Sequence, residues 1–416
     1  MCSVHADQVQ TPWLSVVGIG LEGWSGVPEP ARRALQEAEL VVGGARHLAL
    51  LPNSVRGRRM VWPSPLSQGI DAILARRGDA VAVLASGDPF WYGVGATLAR
   101  HVPADRMRVW PQPSAFSLAA ARMGWALQDV TCLSVHGRRL SRVRPALHDG
   151  ARLLLLSWDG HTAARLAAWL TAQGFGPSQL SVLAHLGGDA ERRVDGHAES
   201  WATAETEALN TIAVRCVAAP GTRALGRTPG RPEGLFAHDG QISKREVRAA
   251  ILALLAPGQN ETLWDIGAGS GAIAIEWMLS DRSNRAVAIE ARADRLDRVR
   301  ANAEALGVPA LETVAGRAPD ALAGLSPPNA VFIGGGLTEP GLVARCRDAL
   351  APGGRIVASS VTVEGDAALA ALHADSGGSL RRIAVSRAEP LGGFAGWRAL
   401  RPITLWCNID DTDDNA

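Results

Sequence analysis

Trp264-Asp265-Ile266-Gly267-Ala268-Gly269-Ser270-Gly271 decides how this 416-residue chain is read. The apolar approach Glu-Thr-Leu precedes it, and Ala-Ile-Ala-Ile-Glu-Trp-Met, with helical apolar spacing, follows. That order predicts a strand, a glycine turn and a helix. Gly267, Gly269 and Gly271 let the backbone turn tightly and let a ligand approach the main chain. The helix start behind them offers free N–H groups to a carboxylate or phosphate. About 20 residues on, Arg285-Ala-Val-Ala-Ile-Glu290 reads as the next strand, and an acid there can accept hydrogen bonds from both hydroxyls of a ribose.

The spacing narrows the ligand. A dinucleotide loop usually reads Gly-x-Gly-x-x-Gly, its third glycine packing helix on strand. Here the pattern is Asp-x-Gly-x-Gly-x-Gly, which resembles the S-adenosylmethionine loop of class I methyltransferases. The competing reading is a glycine turn without a ligand; loop, helix and distal acid agree against it.

The length suggests two or three domains, each able to bury its own core. A formal charge of +1 leaves no strong overall footprint for nucleic acid or an anionic membrane. The five cysteines (2, 132, 216, 346 and 407) lie far apart without a Cys-x-x-Cys pair, which argues against zinc or a disulfide scaffold and suits a reducing cytoplasm. No apolar run reaches the ~20 residues of a membrane span. Residues 1–12 lack the charged-then-apolar order of a signal peptide. The expectation is a cytoplasmic chain with no membrane partner and no bound metal. Lys244 is the sole lysine, so arginine carries nearly all positive charge. Coding bias accounts for that, and arginine also forks well onto carboxylates.

In chain order, Trp13 to Gly20 is a short apolar strand ending in glycines. A helix from Pro28 to Ala38, a strand at Glu39–Gly44, a helix from Gly69 to Arg77 and the continuous apolar strand Ala80–Ala85 follow, as in a buried parallel sheet. Ser86-Gly87-Asp88-Pro89-Phe90-Trp91-Tyr92-Gly93 comes next and contains the only tyrosine. Pro113-Ser114-Ala115 opens a helix through Met123, and Val130–Val135 is a strand ending at His136-Gly137-Arg138. The alternation restarts at Ala151. Residues 1–218 thus read as two consecutive α/β units, one ending near Arg138 and one starting near Ala151. Residues 219–234, rich in Pro, Gly and Arg, read as a linker. Residues 235–416 alternate strands and helices and close with two strands, Leu380–Ala388 and Leu400–Asn408, expected to pair as an antiparallel hairpin.

Ser86-Gly-Asp-Pro89 lies where a parallel strand ends, the edge at which open α/β sheets bind ligands. Asp88 suits a polar ligand group, or alternatively caps the following helix. With Val17-Gly18-Ile-Gly20, Pro113-Ser114-Ala115 and His136-Gly137, the order resembles the tetrapyrrole (corrin and porphyrin) methylases. That family binds S-adenosylmethionine between two α/β units without a class I glycine motif. Gly20-Leu21 departs from the Gly-Pro-Gly of many relatives, as in the C5-type branch of cobalamin synthesis. The resemblance implies cofactor contacts at Gly18, Gly20, Gly87, Asp88, Pro89, Ser114 and Ala115, with Tyr92 and His136 toward substrate. For His136, His185 and His238, ordinary loop histidines are the competing reading.

The second half resembles the companion methyltransferase of that pathway. Asp239-Gly-Gln-Ile-Ser243-Lys244-Arg245-Glu246, Asp265–Gly271, Glu290, Gly316-Arg317-Ala318-Pro319 and Ile333-Gly-Gly335-Gly336 match its motifs, Ser243 standing where threonine is usual. The resemblance implies cofactor contacts at Ser243, Gly267, Ala268, Gly269, Ser270, Gly271, Glu290, Arg317 and Ala318. Lys244, Arg245, Gly335 and Gly336 fall to the substrate; solvated helix-start charges and a loose strand exit are the bland alternatives.

The implied fold is an N-terminal two-unit tetrapyrrole methylase followed by a C-terminal class I Rossmann-like methyltransferase with a seven-stranded sheet. The fused order is similar to the decarboxylating precorrin methyltransferases of cobalamin synthesis. That implies methylation of precorrin-6B at C5 and C15 with two S-adenosylmethionine, one per domain, and loss of the ring C acetate carboxyl to give precorrin-8X. It implies a precorrin macrocycle as partner, no nucleic acid, and a homo-oligomer. No residue is assigned to the chemical step. An RNA methyltransferase, using the Arg138–Arg144 patch, and a non-catalytic S-adenosylmethionine sensor are the other classes consistent with these folds.

Overall fold

A computed structural model describes residues 12–409. Cys2 and residues 1–11, over which the absence of a leader was read, lie outside them. The chain divides into two compact units, one holding the residues through Arg138 with His148–Arg223, the other Arg139–Leu147 with the residues from Ala224 onward. No helix among the described residues is long and apolar enough to cross a membrane.

The first unit holds two sheets. In the first, β1 (Leu14–Ile19), β2 (Leu40–Gly43), β3 (Arg58–Val61), β4 (Val81–Ser86) and β5 (Met107–Trp110) run parallel in the order β3-β2-β4-β1-β5. β1 and β4 are interior and covered on both faces, which is why they read as unbroken apolar runs. The second sheet contains β6 (Thr131–Ser134), β7 (Arg152–Leu156), β8 (Gln179–Ala184), β9 (Arg192–His197) and β10 (Asn210–Arg215), in the order β6-β7-β10-β8-β9. Only β6 and β7 pair in parallel.

The division between these sheets falls earlier than the expected Arg138. The helix Ala115–Met123 already buries Phe116, Ala119 and Ala120 against Leu154, Leu183 and Ala213 of the second sheet. β6 then pairs with β7, Thr131 opposite Leu153. The chain has changed sheets by Ser114.

The second unit carries β11 (Thr262–Ile266), β12 (Arg285–Glu290), β13 (Glu312–Ala315), β14 (Ala330–Ile333), β15 (Arg355–Ser360), β16 (Ser379–Ile383), β17 (Ser386–Leu391), β18 (Phe394–Ala399) and β19 (Ile403–Cys407). Seven of them form one sheet, β13-β12-β11-β14-β15-β19-β16, with the first five parallel and β19 antiparallel to both its neighbours. Trp277 fills one face of the sheet, and Trp264 with Trp406 fills the other. β16 and β19 pair as expected, but no tight turn joins them. The chain between them makes a separate ribbon of β17 and β18, with Leu391, Phe394 and Trp397 exposed.

A buried charge organises this unit. Glu276 projects from the helix Ala272–Ser280 that leaves the glycine loop, and it is fully buried. Its Oε2 accepts the Gly230 N–H at 2.7 Å, and Oε1 accepts the Arg231 N–H at 3.0 Å and Arg248 Nε at 3.1 Å. Arg248, equally buried on the helix Arg245–Leu255, donates its remaining groups to the Ser243 and Arg231 carbonyls and lies 5.0 Å over the Phe236 ring. One carboxylate therefore ties together the glycine-loop helix, the next helix back and residues 230–231. Glu276→Gln leaves Arg248 charged and buried without a counterion, which should lower the unfolding free energy of this unit by about 3–5 kcal/mol. Denaturant unfolding followed by tryptophan fluorescence measures it; a loss below about 1 kcal/mol would contradict the role.

Candidate active sites

In the second unit the glycine loop leaves β11 between β12 and β14. Gly267 and Ala268 N–H groups both donate to the Ile289 carbonyl, at 2.9 and 3.2 Å. Gly267 sits at φ 72°, and a Cβ there would meet the Gly335 nitrogen at 2.7 Å, so the two glycine stretches touch backbone to backbone. Asp265 is buried beneath the loop and accepts the Ala274 N–H at 3.1 Å, satisfying a free donor in the first turn of the helix. Burial, with the Glu290 charge adding to it, pushes this carboxyl up to about 7.

Glu290 closes β12. Its Oε2 accepts the Gly269 N–H at 3.0 Å and its Oε1 the Arg292 N–H at 3.1 Å. Each oxygen keeps a further acceptor position for a ligand hydroxyl. A second strap is the segment 239–244. Arg295 donates to Asp239 at 3.0 Å and to the Gln241 side chain at 2.6 Å, while Arg248 holds the Ser243 carbonyl. Hydrogen bonds from Arg298 and the Gln241 N–H hold the Asp239 carboxyl well below the usual range.

These pieces surround a cavity of about 730 Å³. Ser243, Lys244, Gly267, Ala268, Gly269, Ser270, Glu290, Arg317, Ala318, Gly335 and Gly336 all line it. Two predicted residues do not. Gly271 stands behind the loop as the helix cap, its Cβ position 2.8 Å from Val299, and the Arg245 N–H donates to Glu233 at 3.2 Å outside the cavity. Arg317 is largely exposed at the rim, 3.4 Å from Glu339. Arg295, Arg401 and Ser359 line the cavity without having been read as site residues, because they come from elements far apart in the chain. A fixed acid at the ribose position, a loop only glycine can make and a helix start facing the cavity fit S-adenosylmethionine.

The first unit forms its own cavity of about 870 Å³. β1 and β4 end side by side, Ile19 opposite Ser86. A Cβ on Gly18 would lie 2.0 Å from the Gly87 carbonyl oxygen, which itself accepts the Gln112 N–H at 3.2 Å. Three loop backbones thus pack directly on one another. Gly20, Gly87, Ser114, Ala115, Tyr92 and His136 line the cavity. Gly18, Asp88 and Pro89 shape its wall from behind: Asp88 Oδ1 accepts the Phe90 N–H at 2.8 Å, and the Pro89 carbonyl accepts the Gly95 N–H at 2.9 Å. Ser114 caps the helix Ala115–Met123 by accepting the Ser117 N–H at 3.1 Å. His136 Nδ1 lies 3.3 Å from the Ser157 carbonyl. Tyr92, at φ 56°, lies under the Arg138 guanidinium at 5.2 Å. Sequence reasoning passed over Arg46 and His47, which also line this cavity.

Two α/β units with two separate cavities at strand ends define a double methyltransferase. Residues 14–202 match the family of tetrapyrrole (corrin/porphyrin) methylases, and residues 234–410 match a precorrin methyltransferase domain. A precorrin-6Y C(5,15)-methyltransferase [decarboxylating] from Sinorhizobium sp is 49% identical, over 96% of this chain and 96% of its own length. A cobalt-precorrin-7 C(5)-methyltransferase of Salmonella typhimurium is 33% identical over 43% of this chain and 88% of its own. A probable cobalt-precorrin-6B C(15)-methyltransferase (decarboxylating) of Pyrobaculum calidifontis is 30% identical over 43% of this chain and 94% of its own. The chain belongs to the family of precorrin-6Y C5,15-methyltransferases (decarboxylating), which are S-adenosylmethionine-dependent enzymes.

Gly267→Ala forces a Cβ into the Gly335 backbone at a left-handed φ. Titration calorimetry with S-adenosylhomocysteine should show the second unit's binding weakened at least tenfold, and unchanged binding would place the ligand elsewhere.

Proposed function

We propose that this chain methylates precorrin-6B at C5 and C15, using one S-adenosylmethionine in each unit, and removes the ring C acetate carboxyl as CO2 to give precorrin-8X. The observation that carries this reading is the pair of separate cavities, one built on a class I glycine loop and one on loops that contain no copy of it. Bound S-adenosylmethionine supplies an electrophilic methyl to an enamine-like meso carbon of the macrocycle, so no strong base is required. The protein's contribution is then placement and the exclusion of water. Glu290 takes the ribose hydroxyls of the second site. Gly335 and Gly336 keep that wall free of side chains for a flat ring, while Lys244, Arg317 and Arg401 at the same cavity suit its carboxylates. The macrocycle itself serves as electron sink for decarboxylation. Domain-length relatives that carry C(5) and C(15) activities separately support giving C5 to the first unit and C15 with decarboxylation to the second.

The RNA alternative loses its footing at residues 138–144. Arg138 lies over Tyr92, Arg139 pairs with Glu304 at 3.0 Å, and burial lowers the Arg144 pKa, so three of the patch's arginines are already engaged within the protein. The reading includes a cytoplasmic, homo-oligomeric enzyme; the exposed apolar side chains of the β17–β18 ribbon favour burial against a second copy.

Incubation of the full chain with precorrin-6B and labelled S-adenosylmethionine should give uptake of two methyls and release of one CO2 per macrocycle. An unchanged macrocycle mass would overturn the proposal.

A further inference from the structure

The two cavities differ in charge. The second is lined by Asp265, Glu290 and Glu339 as well as by cations. Among the described residues the first has no Asp or Glu in its lining, and its fixed charges are Arg46 and Arg138. Such a wall attracts anions.

Arg46 is held in an unusual way. It follows β2, and Ser86 ends the neighbouring β4, so the two meet at the sheet edge. Arg46 Nη2 reaches His47 Nε2 at 3.3 Å and Ser86 Oγ at 3.4 Å, and Ser86 Oγ lies 3.0 Å from His47 Nε2. A guanidinium only donates, so in its contact with Arg46 the His47 Nε2 accepts, while the buried Nδ1 has no hydrogen-bond partner among the described residues. Burial, and then the Arg46 charge, lowers the His47 pKa to about 4. Among the described residues Arg46 has no acidic partner, whereas Arg122 and Arg165 of the same unit are each paired with a carboxylate. Its charge is oriented by two neutral groups and left for a ligand.

From this geometry we infer that Arg46 binds a carboxylate of the macrocycle in the first unit's cavity, with His47 and Ser86 as its positioning residues. S-adenosylmethionine, which the same cavity takes, also has a carboxylate, but it brings a single one beside its own ammonium, whereas the macrocycle brings many. A polycarboxylate macrocycle complements that wall, and a guanidinium fork suits a carboxylate. The inference rests on the functional reading above and narrows it to one residue.

The test uses the full chain carrying Arg46→Gln and, separately, Arg46→Lys. C5 methylation of precorrin-6B is followed at varied macrocycle concentration, and S-adenosylhomocysteine binding is measured by calorimetry in a Gly267→Ala background, which isolates the first site. For Arg46→Gln we expect the macrocycle KM for C5 transfer to rise at least tenfold with S-adenosylhomocysteine affinity kept within about twofold. Arg46→Lys should recover part of the KM, because it keeps the charge without the fork. An unchanged KM overturns the inference. So does an equal loss of S-adenosylhomocysteine affinity, which would give Arg46 to the methyl donor's carboxylate, or a lysine variant no better than glutamine, which would mean lost packing. If the wild type transfers no methyl to C5, the functional reading falls and takes the inference with it.

Discussion

The second unit depends on a carboxylate that never meets its ligand. Glu276 is fully buried, and the desolvation that burial imposes is offset by two backbone donors and the Arg248 guanidinium. Arg248 in turn holds the Ser243 carbonyl at the cavity wall. Because Glu276 lies on the helix that emerges from Gly267–Gly271, the loop beneath the ligand and the strap beside it are fixed to the same charge. Apolar groups of similar volume can replace a buried ion pair without loss of stability, but here they would leave the Ser243 carbonyl without the Arg248 donor that holds the strap.

Among the described residues the first unit has no buried Asp, Glu, Lys or Arg. Its loops meet where a side chain would not fit, Gly18 against the Gly87 carbonyl and Gly87 against Pro113. Among the described residues its cavity is lined by no Asp or Glu. The polar groups facing it, including His136 and the Arg46–His47–Ser86 cluster, are either neutral or cationic. Two solutions to building a wall at a sheet edge therefore coexist in one chain, and they leave different electrostatics for the ligand.

Much of this was legible in the sequence because it is local. The glycine loop, its flanking strand and helix, and Glu290 at the end of β12 are written within about one βαβ unit. The apolar runs of β1 and β4 likewise announce interior parallel strands. What escaped was non-local. The stretch Val130–Val135 has the same apolar character whichever sheet it joins, and only the packing of Phe116, Ala119 and Ala120 shows that the chain has already crossed. The β17–β18 ribbon hides in a stretch whose charged, glycine-containing strands bury little of a core. Arg46 and His47 acquire meaning only from Ser86, which lies 39 residues beyond His47 in the chain.

The proposed function requires two independent methyl-donor sites of unrelated construction in one chain. Calorimetric titration of the wild-type full chain with S-adenosylhomocysteine tests it most directly. The account predicts a saturating stoichiometry of two per chain. A stoichiometry of one at saturation would contradict it.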